Sequence, residues 1–160
     1  MNNNTDKKKY ENIQNLLCYA IYEADRTYNK FYQKALKKFG LTYPQYVILL
    51  ELWQEDHQTL RKLSKKTDLK SNTLTPLLKR LEDKSWITRE HPENDKRQLV
   101  VHLTEKTKFE KENIINEVSN CANSIGIDIC DNFEEYDFLV KKLHKITENL
   151  KKITNEQTIK

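Results

Sequence analysis

The chain has 160 residues, 37% hydrophobic and 32% charged, with a net charge of +4 and only two Gly and three Pro. So little apolar and turn-forming material predicts a single elongated domain over residues 1–160, dominated by long helices, whose core a second subunit completes. No apolar run approaches the roughly 18 residues that span a bilayer, and the polar start over residues 1–9 lacks a signal sequence, so no membrane contact and a cytoplasmic location are expected.

Residues 1–9 are polar and expected to be disordered. From about Glu11 to Lys37 the apolar residues Ile13, Leu16, Leu17, Ala20, Ile21, Ala24, Tyr28, Phe31, Tyr32 and Leu36 recur at helical spacing, and Gly40 supplies the left-handed stop. A second helix starts at Thr42, with Pro44 in its first turn and Gln45 at the capping-box position. It carries the largely apolar run Tyr46, Val47, Leu49, Leu50, Leu52 and Trp53.

Thr59 begins a short helix with Leu60 and Leu63 facing inward, and a break follows at Asp68-Leu69. The next helix runs from near Ser71 to Lys84, with Leu74, Leu77, Leu78 and Leu81 in one stripe. Pro76 within it predicts some distortion. Trp86–Arg89 and Gln98–Leu103 read as two strands joined by the polar segment His91–Arg97. Two more helices are expected, one from about Thr104 to Ser124 and one opened by the Asp131-x-x-Glu134 pattern and continued through Leu139, Leu143, Ile146 and Leu150. The fold class is therefore mainly α with a small β-wing. It is a winged helix-turn-helix lobe over about 42–103, flanked by dimerisation helices over about 11–37 and 104–153.

Charge is concentrated where such a lobe would meet DNA. Between Arg61 and Arg80 seven Lys or Arg face one acid, Asp68, so this stretch carries +6. That density suits counterion release from a phosphate backbone, although a solvated lysine-rich face has the same composition. In a helix-turn-helix the start of the second helix reads base edges in the major groove. Here it offers Lys70, Ser71, Asn72, Thr73 and Thr75, with Lys79 and Arg80 further along. Asn can pair bidentately with adenine. The alternative is that Ser71, Asn72 or Thr73 only caps the helix, which should account for one of them. At the wing tip Asp95 is expected to pair with Arg97 and hold it for a narrow minor groove.

Cys18, Cys121 and Cys130 form no Cys-x-x-Cys pair, and His57, His91, His102 and His144 are scattered, so neither a metal nor another cofactor is expected. Cys18 lies in the apolar stripe of the first helix with Tyr22 one turn on. A lone Cys there is ordinarily a buried small hydrophobe. Tyr32 shares its approximate face about 21 Å along the helix, too far to touch Cys18 in one chain. A crossing symmetry mate would bring them together, with Tyr43 joining. Phenolic hydroxyls beside the sulfur would favour the thiolate.

The runs Leu16–Tyr22, Leu41–Tyr46, Thr73–Arg80 and Asp95–Arg97, occurring in this order, resemble MarR-type transcriptional regulators of the OhrR/MgrA/SarZ-like, peroxide-sensing branch. The resemblance covers about residues 11–150. It implies a homodimeric winged helix, not an enzyme, that binds a double-stranded inverted repeat and acts as a repressor released on oxidation. By the resemblance Cys18 is the peroxidatic cysteine, Tyr22, Tyr32 and Tyr43 contact it, and Cys121 or Cys130 is a resolving partner unless a small thiol serves. Arg97 is the wing arginine, Ser71 and Thr73 are recognition-helix residues, and Pro76 belongs to the pattern. Three rival readings are a regulator released by a small aromatic or anionic ligand without redox chemistry, a thiol peroxidase, and a winged-helix protein-interaction module. The second lacks any supporting cysteine motif.

Overall fold

A computed structural model describes residues 12–93, 95–124 and 132–156. The chain divides into two compact units, Met1–Cys121 and Ala122–Lys160. The expectation for residues 1–9 lies outside the described residues.

In the first unit a 3-10 turn at Ile13–Asn15 precedes helix α1, Leu17–Ala35. The helix expected from Glu11 to Lys37 is thus shorter at both ends. Leu16 adopts an extended conformation that breaks it from the turn, and Lys37–Phe39 tightens into a second 3-10 turn. Gly40, at φ 64°, closes that turn as expected. Helix α2, Tyr43–Gln54, follows Thr42, whose backbone N–H donates to Gln45 Oε1 at 3.0 Å while its hydroxyl donates to the same oxygen at 3.2 Å. Strand β1, Gln58–Thr59, leads directly into α3, Leu60–Thr67, where the Thr59 hydroxyl accepts the Lys62 N–H.

Helix α4 spans Ser71–Asp83 and retains Pro76 without ending there. Strands β2, Ile87–Glu90, and β3, Val100–Leu103, form the expected hairpin. The sheet has three strands, not two, in the order β1-β3-β2, all antiparallel, with Gln58 opposite Val101 and Thr88 opposite His102. A two-residue strand has too short an alternation to be seen in a sequence. Helix α5, Glu105–Ser124, supplies the last residues of this unit up to Cys121.

One core joins these elements. Leu36, Leu49, Leu52, Leu63, Leu74, Leu78, Leu81, Ile87, Val101 and Ile114 are all buried in it, with Trp53 and Leu77 packed at its margin. Full burial of a leucine contributes about 1.5–3 kcal/mol, so the leucine stripes of α3 and α4 hold the two helices at a fixed angle to the sheet. Most of α1 contributes nothing to this core. Leu17, Ile21, Tyr22 and Tyr28 stay exposed.

The second unit is represented by α6, Phe133–Glu156. Asp131 lies outside the described residues, and Asn132 opens the helix instead, its side-chain oxygen accepting the Glu135 N–H at 2.9 Å. Tyr136, Leu139, Leu143, Ile146, Leu150 and Ile153 repeat at alternating spacings of three and four, the seam of a coiled coil. Apart from half-buried Ile146, these residues are exposed.

Candidate nucleic-acid interface and cysteine face

The α3–α4 corner is set by local chemistry. Asp68 takes the left-handed conformation at φ 57°, which short polar side chains tolerate, and ends α3. The Ser64 hydroxyl donates across the corner to the Leu69 carbonyl at 2.6 Å. Leu74, Leu78 and Leu81 then turn one face of α4 inward, leaving Ser71, Asn72, Thr73, Thr75, Lys79 and Arg80 on exposed positions, with Lys70 exposed just ahead of them.

The N-cap of α4 is Lys70, and no side chain caps the helix. The expectation that one of Ser71, Asn72 and Thr73 serves as the cap is therefore wrong. The helix starts one residue earlier than a Ser71 cap requires and two earlier than an Asn72 cap requires, and all three lie inside its first turn. Their polar atoms point outward, with Thr73 Oγ1 within 3.4 Å of Asn72 Oδ1. Thr75 differs, because its hydroxyl donates to the Ser71 carbonyl at 2.8 Å and keeps only acceptor capacity for an outside partner.

The wing tip is also built differently from expectation. Asp95 does not hold the Arg97 guanidinium. Its Oδ1 accepts the Arg97 backbone N–H at 3.1 Å and its Oδ2 accepts Gln98 Nε2 at 2.9 Å, an Asx-type turn. Asp95 fixes the backbone and leaves the Arg97 side chain exposed. Arg97 borders a groove of about 470 Å³ that Arg61, Ser64 and Ser71 also line. Two guanidinium-bearing residues and the uncapped start of α4 thus share one concavity, which suits a phosphate. Arg61 was legible in the sequence only as part of the basic stretch.

Cys18 is exposed on α1. Tyr22 is exposed too, its ring 6.3 Å from that of Tyr19. Tyr32 and Tyr43 meet, with ring centroids 4.2 Å apart, and Tyr28 and Tyr46 extend the cluster at 6.4 and 5.9 Å from Tyr32. One protomer therefore assembles Tyr32 with Tyr43 but leaves Cys18 and Tyr22 more than two turns away along α1. Burial, then the neighbouring Tyr28 and Asp25, pushes the Tyr43 phenol up from its ordinary value. Beside it a groove of about 280 Å³ is lined by Asn29, Lys30, Gln33 and Tyr43, just under the usual size of small-molecule sites. Cys121 is half-buried on α5, and Cys130 lies outside the described residues.

One pairing escaped sequence reasoning. His57 and His102, 45 positions apart, bring their Nδ1 atoms to 2.6 Å. Among the described residues there is no group of three or more His, Cys, Asp or Glu suited to a metal, and no helix long and apolar enough to cross a membrane.

The family model of the transcriptional regulator SarA/Rot matches residues 30–114. The regulator MgrA of Staphylococcus aureus is 38% identical over 116 residues, 72% of this chain and 76% of its own length. The organic hydroperoxide resistance transcriptional regulator of Bacillus subtilis is 40% identical over 116 residues, again 72% of this chain and 77% of its own length. Reduced AbfR bound to DNA, a protein of Staphylococcus epidermidis, superposes with a TM-score of 0.78 at 38% identity, over 90% of this chain and 98% of that one.

Proposed function

The chain belongs to the SarA/Rot family of MarR-like winged-helix transcriptional regulators, which are not enzymes, and from that premise we propose that it is a homodimeric, redox-sensing repressor that lets go of DNA when Cys18 is oxidised. The observation that carries the DNA reading is the exposed, uncapped first turn of α4, whose Ser71 lines one groove with Arg97. Ser71, Asn72 and Thr73 read base edges, Thr75 accepts, Lys70, Lys79 and Arg80 meet phosphates, and Arg97 enters the minor groove. A structural neighbour, AbfR, is DNA-bound in its reduced form.

The dimer reading rests on two uncovered apolar faces, the α1 face around Leu17, Ile21, Tyr22 and Tyr28 and the heptad seam of α6. Contiguous apolar surface of this kind marks an association site. A twofold dimer presents two α4 helices to half-sites about one helical turn apart, so the operator is an inverted repeat. The domain reading follows, with 42–103 as the DNA-binding lobe and 11–37 and 104–153 as dimerisation segments.

The redox reading draws on the exposure of Cys18 and on a relative named for organic hydroperoxide resistance. The Cys18 thiolate attacks the outer oxygen of a hydroperoxide, the O–O bond breaks, the alkoxide leaves and takes up the proton the thiol released, and sulfenic acid remains. That acid condenses with the thiol of Cys121 or Cys130, or with a small thiol, releasing water and forming a disulfide. Tyr22, with Tyr32 and Tyr43 of the partner subunit, donates hydrogen bonds to the sulfur. The new bond shifts the dimer helices and respaces the two α4 helices. Moving the population from mostly bound to mostly released takes about 5.5 kcal/mol of differential stability.

A gel-shift on an inverted repeat from the chain's own upstream DNA, with and without an organic hydroperoxide, tests this. Wild type should release DNA on oxidation, and Cys18→Ser should bind but not release. Equal binding by reduced and oxidised wild type would sink the redox reading and favour a small ligand as the signal.

A further inference from the structure

We propose that His57 and His102 form an acid-sensitive latch at the stem of the wing, closed while the two rings hold no more than one proton beyond their neutral complement and opened by the next. The consequence for DNA rests on the regulator reading above; the latch itself does not.

The backbone brings the rings together. Gln58 pairs with Val101 and Thr59 with Val100, so the same register carried back one residue sets His57 opposite His102. His57 adopts a left-handed conformation at φ 59°, a region in which His is enriched. The rings meet edge to face at 82° with centroids 4.4 Å apart. The Asp56 carboxylate holds the approach, its Oδ1 accepting both the His57 and the Leu103 backbone N–H at 2.8 Å.

Charged groups face the pair from each neighbouring element. Asp56 Oδ2 lies 3.6 Å from His57 Nε2 on the β1 side. Glu90 Oε1, on β2, lies 2.9 Å from His102 Nε2. That nitrogen is buried, and its approach to Glu90 is not aligned as a hydrogen bond. From α5, Lys108 is close enough to Asp56 to feel its charge but is ion-paired to Glu105.

Proton counting gives the switch. Two Nδ1 atoms at 2.6 Å need one hydrogen between them, since two lone pairs at that distance repel. Two neutral rings supply that hydrogen and one more, which Glu90 draws to His102 Nε2. One further proton sits on His57 Nε2 toward Asp56, and the chain Asp56–His57–His102–Glu90 is then filled. The next has only the Nδ1 gap to enter. There two N–H groups collide and two imidazoliums repel, so the pair parts. Such sites take up protons as a coupled pair.

The opening is transmitted to the DNA face. His57 adjoins β1, whose Thr59 caps α3, and the Leu60 N–H donates to the Leu99 carbonyl at 2.9 Å. Separating β1 from β3 therefore displaces Arg61 relative to Arg97. Acid should weaken DNA binding, against the usual trend in which added positive charge strengthens it.

Imidazole signals of the full chain, followed by NMR against pH, read the latch without DNA. Both rings should respond together in two separated steps; two independent single-step curves would overturn the proposal. DNA affinity at constant ionic strength should fall about tenfold between about pH 7.5 and about pH 5.5. In His57→Asn, whose new residue tolerates the left-handed backbone, and in His102→Gln, that loss should vanish or reverse. A wild-type affinity that holds or rises in acid, or a loss that survives in both variants, would overturn the coupling. If no DNA binds at any pH the regulator reading fails, and the ring titrations still decide the latch.

Discussion

Tyr32 on α1 lies flat against Tyr43 on α2, the ring planes 25° from parallel and the centroids 4.2 Å apart. The stack joins the helix that carries Cys18 to the first turn of α2. On the redox proposal, this contact couples motion of α1 to α2, because offset aromatic pairs add about 0.5–1.5 kcal/mol beyond their burial.

The Tyr43 phenol gives this joint a pH signature. Burial, reinforced by Tyr28 and Asp25, raises its proton affinity in the folded state. A group raised in the fold contributes stability that is full below its unfolded value and is lost as pH rises through its folded value. Thermal melts from neutral pH to above about pH 10 should show an alkaline loss that Tyr43→Phe reduces. An identical alkaline slope in both proteins would show that Tyr43 ionises as freely folded as unfolded.

Glu82 on α4 and Arg89 on β2 carry the opposite sign. The Arg89 guanidinium, donating to the Glu82 carboxylate, holds that carboxyl below its usual value. Stability from the pair is present above the ordinary carboxylate range and lost as pH falls through the depressed value. Both side chains are partly exposed, so the contribution is within about 1 kcal/mol. Urea unfolding at neutral pH and near about pH 3.5 should show Glu82→Gln losing less on acidification than wild type.

Buried Gln58 ties β1 to the end of α2. Its Nε2 donates to the Glu51 carbonyl at 3.0 Å, which also accepts the Glu55 N–H, and to the Glu55 carbonyl at 2.6 Å, a group the helix C-terminus would otherwise leave open. Gln58→Leu keeps the volume and strands the Glu55 carbonyl, which should cost about 1–3 kcal/mol. The measurement is the midpoint of chemical unfolding, and no change in it would mean that water satisfies that carbonyl.

What the sequence discloses about this molecule follows from the range of the forces involved. Leu74, Leu78 and Leu81 repeat every three or four residues, so α4 and its buried face are readable from spacing alone. Thr42 and Gln45 are three apart, and their cap is equally local. The β1 strand is two residues long and exists only through β3, forty residues away, so no local pattern announces it. Lys70 as the N-cap, and Asp95 holding the Arg97 backbone instead of its side chain, turn on where a helix or turn begins to within one residue. Local propensity leaves that choice open. His57 and His102 are invisible for the same reason as β1, since their register is tertiary. The tyrosine cluster was half legible. Tyr32 and Tyr43 do meet, and within one chain Cys18 stays apart from them.

The proposed DNA face permits a separation of roles by salt dependence. Asn72 stands in the first turn of α4 with an exposed amide, whereas Lys79 lies two turns further along on the same exposed side. A base-reading amide contributes discrimination at one base pair, about 1–3 kcal/mol, and releases no counterion. A phosphate-binding lysine contributes to every sequence alike and releases about one. Asn72→Ala should therefore weaken binding to the operator but not to random duplex, leaving the slope of log affinity against log salt unchanged. Lys79→Ala should weaken both and make that slope shallower by about one. Fluorescence anisotropy on operator and random duplexes across a salt series separates the two. If Asn72→Ala lowers both affinities equally, Asn72 is a backbone contact, and reading of bases falls to Ser71 and Thr73.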